Sequence, residues 1–401
     1  MKITHIHIER FRGFQNEDFE VGSLLTAIAG QNGTQKSTLL GIITQTFTLK
    51  TEDSMRVEKP LCGGSYISAF KDKFRLSPTF DKPKGHEWTI SFDAGMDDFT
   101  VESIKRTGDP NVRFWKKGAR QEGDGYISFP TIFLSLKRLV PVAEEAKIIT
   151  DDTLLTQEEL NEFKQLHNKI LIAQTPISSA TTITSKNKQS IGVSTELYDW
   201  NQNSMGQDNL GKIILALFSF KRLHDKYPRQ YKGGILAIDE MDATMYPASQ
   251  VELLKVLRKY ASKLNLQILF TTHSMSLLKA MDDLVQEVTK KEETANQAKI
   301  LYLKKVDDKI AIKQGVNFKG IQLDLNVVAE GNNRKKNRIT AYTEDKENIL
   351  FVKAILKSKA FVLDFVDVTL PCSTLMELVT KRVPAFIYPY SICLLYTSDA
   401  A

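Results

Sequence analysis

Gly30-Gln31-Asn32-Gly33-Thr34-Gln35-Lys36-Ser37-Thr38 carries the residue types that hold a phosphate group. Glycines let backbone N–H groups close around phosphate oxygens, and the start of a following helix adds unpaired donors and a positive dipole end. Lys36 is suited to neutralise β and γ phosphates. Ser37 is suited to hold Mg²⁺ through its hydroxyl, with Thr38 beside it. The pattern calls for glycine just before the lysine, and Gln35 stands there with a Cβ and an amide that must find room beside the phosphates. A glycine turn between strand and helix with no ligand is the alternative for the loop alone.

Further along, Gly233-Gly234-Ile235-Leu236-Ala237-Ile238 runs into Asp239-Glu240, an apolar strand ending in two carboxylates. Beside a phosphate loop on a parallel sheet, Asp239 would enter the Mg²⁺ shell and Glu240 would orient or deprotonate an attacking water. A second apolar strand, Leu266 to Thr272, delivers His273 to the same carboxyl edge, where it could sense the γ-phosphate. Ser204-Met205-Gly206-Gln207 precedes a helix bearing Leu210, Ile213, Ile214, Leu217 and Phe220, so serine and glycine stand at another helix start able to meet an anion.

These groups need elements to hold them. Leu24 to Ala29 reads as a buried strand before the loop, and Leu39-Leu40-Gly41-Ile42-Ile43 as the helix after it. Ile3 to Phe19 reads as strand, turn, strand, broken at Arg12-Gly13. The runs Trp88–Phe92, Phe99–Ile104 and Val112–Trp115 alternate as an antiparallel meander. Ile132 to Leu136 returns to a buried strand. Thr156-Gln157-Glu158-Glu159 is a capping box ahead of Leu160, Phe163, Leu166 and Ile170, which opens a helical insertion. Ile177 to Ser190, rich in serine, threonine and lysine, reads as a mobile loop. No heptad run is long enough for an extended coiled-coil arm.

The 401 residues, 42% apolar and 25% charged, fit a globular chain of two or three domains. No apolar run approaches the roughly 20 residues of a spanning helix, and the alternating start Met1-Lys2-Ile3-Thr4-His5 is unlike a signal peptide, so a cytoplasmic protein with no membrane association is expected. Cys62, Cys372 and Cys393 lack metal-ligand spacing. The net charge of +6 is compatible with nucleic acid contact without arguing for it.

Taken together, the loop, the acidic strand end, the histidine and the helix-start serine resemble the ABC-type ATPase heads of the SMC and RecF class, across roughly Met1 to Gly320. Ser204-Met205-Gly206-Gln207 is similar to their signature motif, Asp239-Glu240 to their catalytic pair, Asp242 to their D-loop and His273 to their switch histidine. The resemblance implies ATP and Mg²⁺ as cofactors, bound by Gly30, Asn32, Gly33, Thr34, Gln35, Lys36, Ser37, Thr38, Ser204, Gly206, Gln207 and Asp239. Ser37 and Asp239 would hold the metal, and Glu240 and His273 would be catalytic. It also implies a homodimer, or a higher oligomer, in which the signature of one subunit caps the γ-phosphate held by the other. Gln35 for glycine and Met205 within the signature depart from the family pattern and leave the rate of hydrolysis open.

After a hairpin at Ile300–Leu303 and Lys309–Ile312, a polar linker leads to Ile339-Thr340-Ala341-Tyr342-Thr343 and the acids Glu344, Asp345 and Glu347. A helical run and a further strand, Phe361 to Val368, follow. An ATPase head followed by strand, acidic turn and helix resembles the OLD family of nucleases, in which a Toprim domain follows the head. Glu344 matches the first Toprim acid and would bind Mg²⁺. An exposed acidic helix start would carry the same residues on dipole grounds alone.

The expected fold is α/β. Residues 1–325 form a P-loop NTPase head of ABC type with an antiparallel β meander and a helical insertion at about 151–200. A linker at 326–338 then leads to the start of a Toprim-like α/β domain at 339–392. Residues 393–401 fit an adapter scar: Cys393 to Ser398 can be encoded by TGT CTC TTA TAC ACA TCT, the end of a transposon used in sequencing libraries, so the natural protein is expected to continue. The expected function is ATP-dependent gating of DNA processing in the manner of OLD nucleases. The alternatives are an ATPase sensor with a separate nuclease partner, resembling Septu-type defence ATPases, and a RecF-like DNA clamp.

Overall fold

The computed structural model describes residues 1–401 except 51, 67–69, 78, 94, 106–111, 119–124, 141–147, 152–153, 186–188, 331–338, 370, 382–390 and 395–401. The chain divides into two units, Met1–Leu323 and Asp324–Ala401.

The first unit opens with the hairpin β1 (Ile3–Phe11) and β2 (Phe14–Glu20), then β3 (Leu25–Gly30), α1 (Lys36–Thr44) and the short β4 (Phe47–Thr48). Next come α2 (Phe70–Lys73), β5 (Glu87–Phe92), β6 (Phe99–Lys105), β7 (Val112–Lys116), β8 (Ile127–Ser128) and β9 (Thr131–Leu134). β10 (Ile149–Asp151), α3 (Gln157–Leu171), β11 (Ser179–Thr184) and β12 (Gln189–Ser194) precede α4 (Met205–Lys226). The unit continues through β13 (Gly234–Ile238), α5 (Pro247–Lys263), β14 (Leu266–Thr272), α6 (Met275–Val288), β15 (Ala298–Val306) and β16 (Lys309–Lys313), with α7 (Phe318–Glu330) following.

Two sheets carry the site. In the six-stranded sheet the order is β16-β15-β3-β14-β13-β9, parallel except for the hairpin strand β16. β14 therefore lies between the loop strand β3 and the acidic strand β13. The five-stranded sheet β2-β1-β5-β6-β7 is the antiparallel meander. From Leu39 to Thr44 helix α1 is buried, and Leu39, Leu40, Ile42 and Ile43 share one core with Ile6, Ile8 and Trp88 of the meander and Ile28, Ile235 and Leu269 of the parallel sheet. This buried body holds the polar first turn, where Ser37 is exposed, in place against both layers. A parallel sheet with helices at its strands' crossovers, carrying a glycine loop between strand and helix, is a P-loop NTPase fold, and the antiparallel meander adds a second sheet to the same core.

The capping box at Thr156 forms in full: Glu159 N–H donates to Thr156 Oγ1 at 3.3 Å and Thr156 N–H donates to Glu159 Oε2 at 2.9 Å. Ile177 to Ser190 is not a loop throughout. β11 and β12 pair in antiparallel register from Ser179↔Ser194 to Thr184↔Gln189. Its polar composition hid a run of β-branched residues, and Ile183, Ile191 and Val193 are buried.

His167 of α3 is also buried, beside the Phe163 ring. Burial pushes its imidazole down to about 4. The unfolded chain takes up a proton near pH 6.5 that the folded chain refuses until about pH 4. His167 therefore contributes stability that is complete above pH 6.5 and is lost as pH falls through that window. His167 alone accounts for a loss of roughly 2 kcal/mol between pH 7 and pH 5, and urea unfolding of His167→Phe at the two pH values is expected to lack that share of the drop.

In the second unit β17 (Ile339–Thr343), α8 (Lys346–Leu356), β18 (Leu363–Thr369), α9 (Cys372–Thr380) and β19 (Ser391–Leu394) follow in turn. β17 is central, parallel to β18 on one side and to β19 on the other. Of the stretch expected as linker, α7 occupies the part through Glu330, and 331–338 lie outside the described residues. Residues 395–401 of the expected scar do as well.

Candidate functional site

Strand register brings the chemistry to one edge. Thr272 pairs with Ala29, and Ile238 pairs with Phe270, so Gly30 at the end of β3 and Asp239 and His273 just past β13 and β14 share one carboxyl edge of neighbouring strands. In open α/β sheets this is where ligands bind.

The loop from Gly30 to Gln35 is wound for an anion. Gly33 sits at φ 80° with nothing within 4 Å of where a Cβ would stand, and Asn32 is exposed beside it. Thr34 is buried, its hydroxyl donating to the Gln31 carbonyl at 2.8 Å. Gln35 caps α1 at φ 61° and ψ 33°. That left-handed conformation is the physical reason the pattern calls for glycine, and Gln35 adopts it with its Cβ in place. Its amide goes to the hairpin side, with Nε2 2.9 Å from where a Cβ on Gly13 would be, and its buried Oε1 has no hydrogen-bond partner among the described residues.

Lys36 Nζ donates to the carbonyls of Gly30 at 3.0 Å and Gln31 at 2.9 Å, which folds the ammonium over the loop. Burial lowers its pKa, while Glu240, Asp239 and Asp242 pull it back up. Ser37 Oγ donates to Asp239 Oδ1 at 2.8 Å, and Thr271 Oγ1 donates to the same oxygen at 2.7 Å. Glu240 N–H donates in turn to Thr271 Oγ1 at 2.6 Å. The loop helix, the acidic strand and the histidine strand are thus joined through one carboxylate oxygen. Thr38 accepts a 3.4 Å hydrogen bond from Arg12. Arg12 is itself clamped by Asp81 through Nε and Nη2, both at 3.0 Å. Burial would raise Asp81, but hydrogen bonds from Arg12, the Ser77 N–H and His86 outweigh it and hold the carboxyl at about 2.

A hydroxyl and a carboxylate in contact, both hard oxygen donors, suit Mg²⁺, which keeps several waters and leans on substrate phosphates in place of an all-protein cage. Among the described residues no group of three or more His, Cys, Asp or Glu converges as a metal site, so phosphate and water would have to complete the shell. When bound, Mg²⁺ would offset charge on the phosphate oxygens. His273 is exposed, and its backbone N–H donates to Asp242 Oδ1 at 3.3 Å. Burial and then Lys36 lower its pKa despite Asp242, Glu240 and Asp239 nearby. At neutral pH the ring is uncharged and offers one donor and one acceptor.

Ser204 caps α4 in a second full capping box. It accepts from Gln207 N–H at 3.3 Å and donates its own N–H to Gln207 Oε1 at 2.8 Å. Ser204 and Met205 are exposed. Gly206 is not: a Cβ there would stand 2.5 Å from the Thr244 carbonyl oxygen, so only glycine lets α4 approach the segment after Glu240 this closely. Gln207 Nε2 donates to the Tyr198 hydroxyl at 2.8 Å. In the second unit Glu344 follows the central strand β17, and Asp345 caps α8 by accepting from Asn348 N–H at 2.8 Å.

Sequence reasoning passed over Thr271, Arg138 and Asn209. Thr271 lies two residues before His273, directly after the apolar run Ile268-Leu269-Phe270, and the Thr271-Thr272 hydroxyls ending that run were the available signal. Arg138 follows β9 and is buried, with burial lowering its guanidinium to about 10 against the pull of Asp239, Glu240 and Asp242. No motif pointed to it.

Residues 136–278 match the AAA ATPase domain family, a span that includes Ser204–Gln207, Asp239, Glu240 and His273. No curated protein matches the chain. Among solved structures, an SMC head domain from Thermotoga maritima is 14% identical, covering 79% of this chain and 100% of that one at a TM-score of 0.43. An SMC head bound to the C-winged helix domain of ScpA is 13% identical, covering 80% and 100% at 0.44. An SMC head with an extended coiled coil, bound to the C-terminal domain of ScpA derived from Pyrococcus furiosus, is 11% identical, covering 82% and 99% at 0.44. Strand order and register define the fold, and residues 136–278 within it match the AAA ATPase domain family.

Proposed function

We propose that this chain binds and hydrolyses ATP with Mg²⁺, closes as a homodimer around the nucleotide, and uses that closure to gate DNA processing in the manner of OLD nucleases. The observation that carries the ATPase reading is the shared Asp239 oxygen, which accepts from Ser37 at 2.8 Å and Thr271 at 2.7 Å and so couples the phosphate loop to the acidic strand. Lys36 would neutralise the terminal phosphates, Ser37 and Asp239 would hold the metal, and Glu240 would orient water and take its proton. His273 would read the γ-phosphate.

Dimerisation is supported by the exposure of Ser204 and Met205 at the start of a long helix, whose positive dipole end is thereby open to a phosphate from outside its own unit. A site completed by a second copy ties association to nucleotide state, because ATP then favours the closed dimer and hydrolysis releases it. The gating role is supported by Glu344 at the end of the central strand of a parallel sheet, the position from which an acid would hold Mg²⁺ at a phosphodiester. Glu240→Gln, which keeps the shape and removes the base, is expected to accumulate an ATP-bound dimer. Light scattering with MgATP checks this, and a monomer at all protein concentrations contradicts the two-subunit site.

A further inference from the structure

Arg138 is the most fully engaged buried cation near the site. Its Nε donates to Asn209 Oδ1 at 2.7 Å, Nη1 to the carbonyls of Leu134 and Ser135 at 3.2 Å each, and Nη2 to the Glu240 carbonyl at 2.7 Å. Asn209, fully buried on α4 three residues past Gly206, donates from Nδ2 to the Ala243 carbonyl at 3.0 Å. The guanidinium fork is rigid and planar, so moving one of its partners moves the others. Glu240 itself sits at φ 49°, a left-handed conformation that a non-glycine residue keeps only where its surroundings hold it.

We propose that Arg138 and Asn209 form a positioning relay that sets the Glu240 peptide, and with it the Glu240 carboxylate, according to the placement of the signature end of α4. One arm runs from Asn209 through Arg138 to the Glu240 carbonyl. The other runs from Asn209 directly to Ala243, three residues on. Together they bracket Glu240–Ala243 from the α4 side, while Gly206 brings the start of α4 against Thr244 of the same segment. An event at Ser204–Gln207, such as a phosphate arriving from a second copy, would reach Glu240 by this route. The relay acts through Glu240, and it rests on the reading that Glu240 serves ATP hydrolysis.

The test uses the full chain with Arg138→Lys, which keeps the charge and loses the fork, Asn209→Ala, and the double variant, each checked for folding by thermal melts. Turnover at saturating MgATP is expected to fall ~10-fold or more in each single variant, because a small misplacement of a catalytic group costs up to about 10²-fold. ATP affinity by calorimetry should stay within about threefold, since the hydrogen bonds of both residues go to Leu134, Ser135, Glu240, Ala243, Thr244 and each other, not to the phosphate loop. Groups acting in series lose their effect together, so the double variant should be no slower than the slower single variant. In a Glu240→Gln background, Arg138→Lys should cause no further loss. Turnover near wild type in both single variants, losses that multiply in the double variant, or a loss that follows ATP affinity would each overturn the relay. Wild-type protein without ATP hydrolysis would instead remove the ATPase reading, and the relay with it.

Discussion

Lys36→Ala is expected to weaken ATP binding by about 100-fold or more in calorimetry, with the fold intact. Lys36 is buried, but the core that holds α1 is built from Leu39, Leu40, Ile42 and Ile43, and the Lys36 ammonium is folded over the Gly30 and Gln31 carbonyls at 3.0 and 2.9 Å. Charge-assisted hydrogen bonds to a phosphate contribute about 1.5–3 kcal/mol each, and tenfold in affinity is about 1.4 kcal/mol, so losing two such bonds accounts for the effect. The three acids around it strengthen the expectation. Glu240, Asp239 and Asp242 oppose an incoming triphosphate, and Lys36 is the cation on the phosphate loop that offsets them. Unchanged affinity in Lys36→Ala would place the nucleotide elsewhere.

Asp239→Asn is expected to reduce Mg²⁺-dependent turnover by ~100-fold or more while leaving the thermal midpoint nearly unchanged. The two effects separate because one oxygen accepts both hydroxyls. An asparagine Oδ1 can still accept from Ser37 and Thr271, so the bridge between α1, β13 and β14 survives. What is lost is the charge that a hard divalent cation requires beside Ser37. A large drop in stability would show that Asp239 serves the fold first. Full turnover would show that the metal is held by other groups.

Much of this was legible in the chain because the informative residues lie at the ends of strongly apolar strands. Leu25–Gly30, Gly234–Ile238 and Leu266–Thr272 are buried throughout, and each delivers its polar residues to the carboxyl edge. The meander was legible for the same kind of reason, since Trp88, Ile90, Val101 and Phe114 alternate with solvent-facing residues. What was not legible depends on tertiary approach. Gln35 looked like a fault in a motif, yet its role is conformational, at φ 61° where glycine is usual. Nothing in the spacing shows that Gly206 is needed to admit the Thr244 carbonyl. Arg138 and Asn209 are separated by 71 positions in sequence, and only the packing of α4 against the end of β9 brings them to 2.7 Å. The β11–β12 hairpin was missed because serine and threonine composition reads as a loop until the pairing partner is known.

Phosphate release from ATP by the full chain, measured with and without Mg²⁺ in wild type, Lys36→Ala and Asp239→Asn, tests the ATPase reading most directly. Turnover that requires Mg²⁺ in wild type and collapses in both variants is the expected result. Turnover that persists in either variant, or that proceeds equally without Mg²⁺, would contradict a site built on Lys36, Ser37 and Asp239.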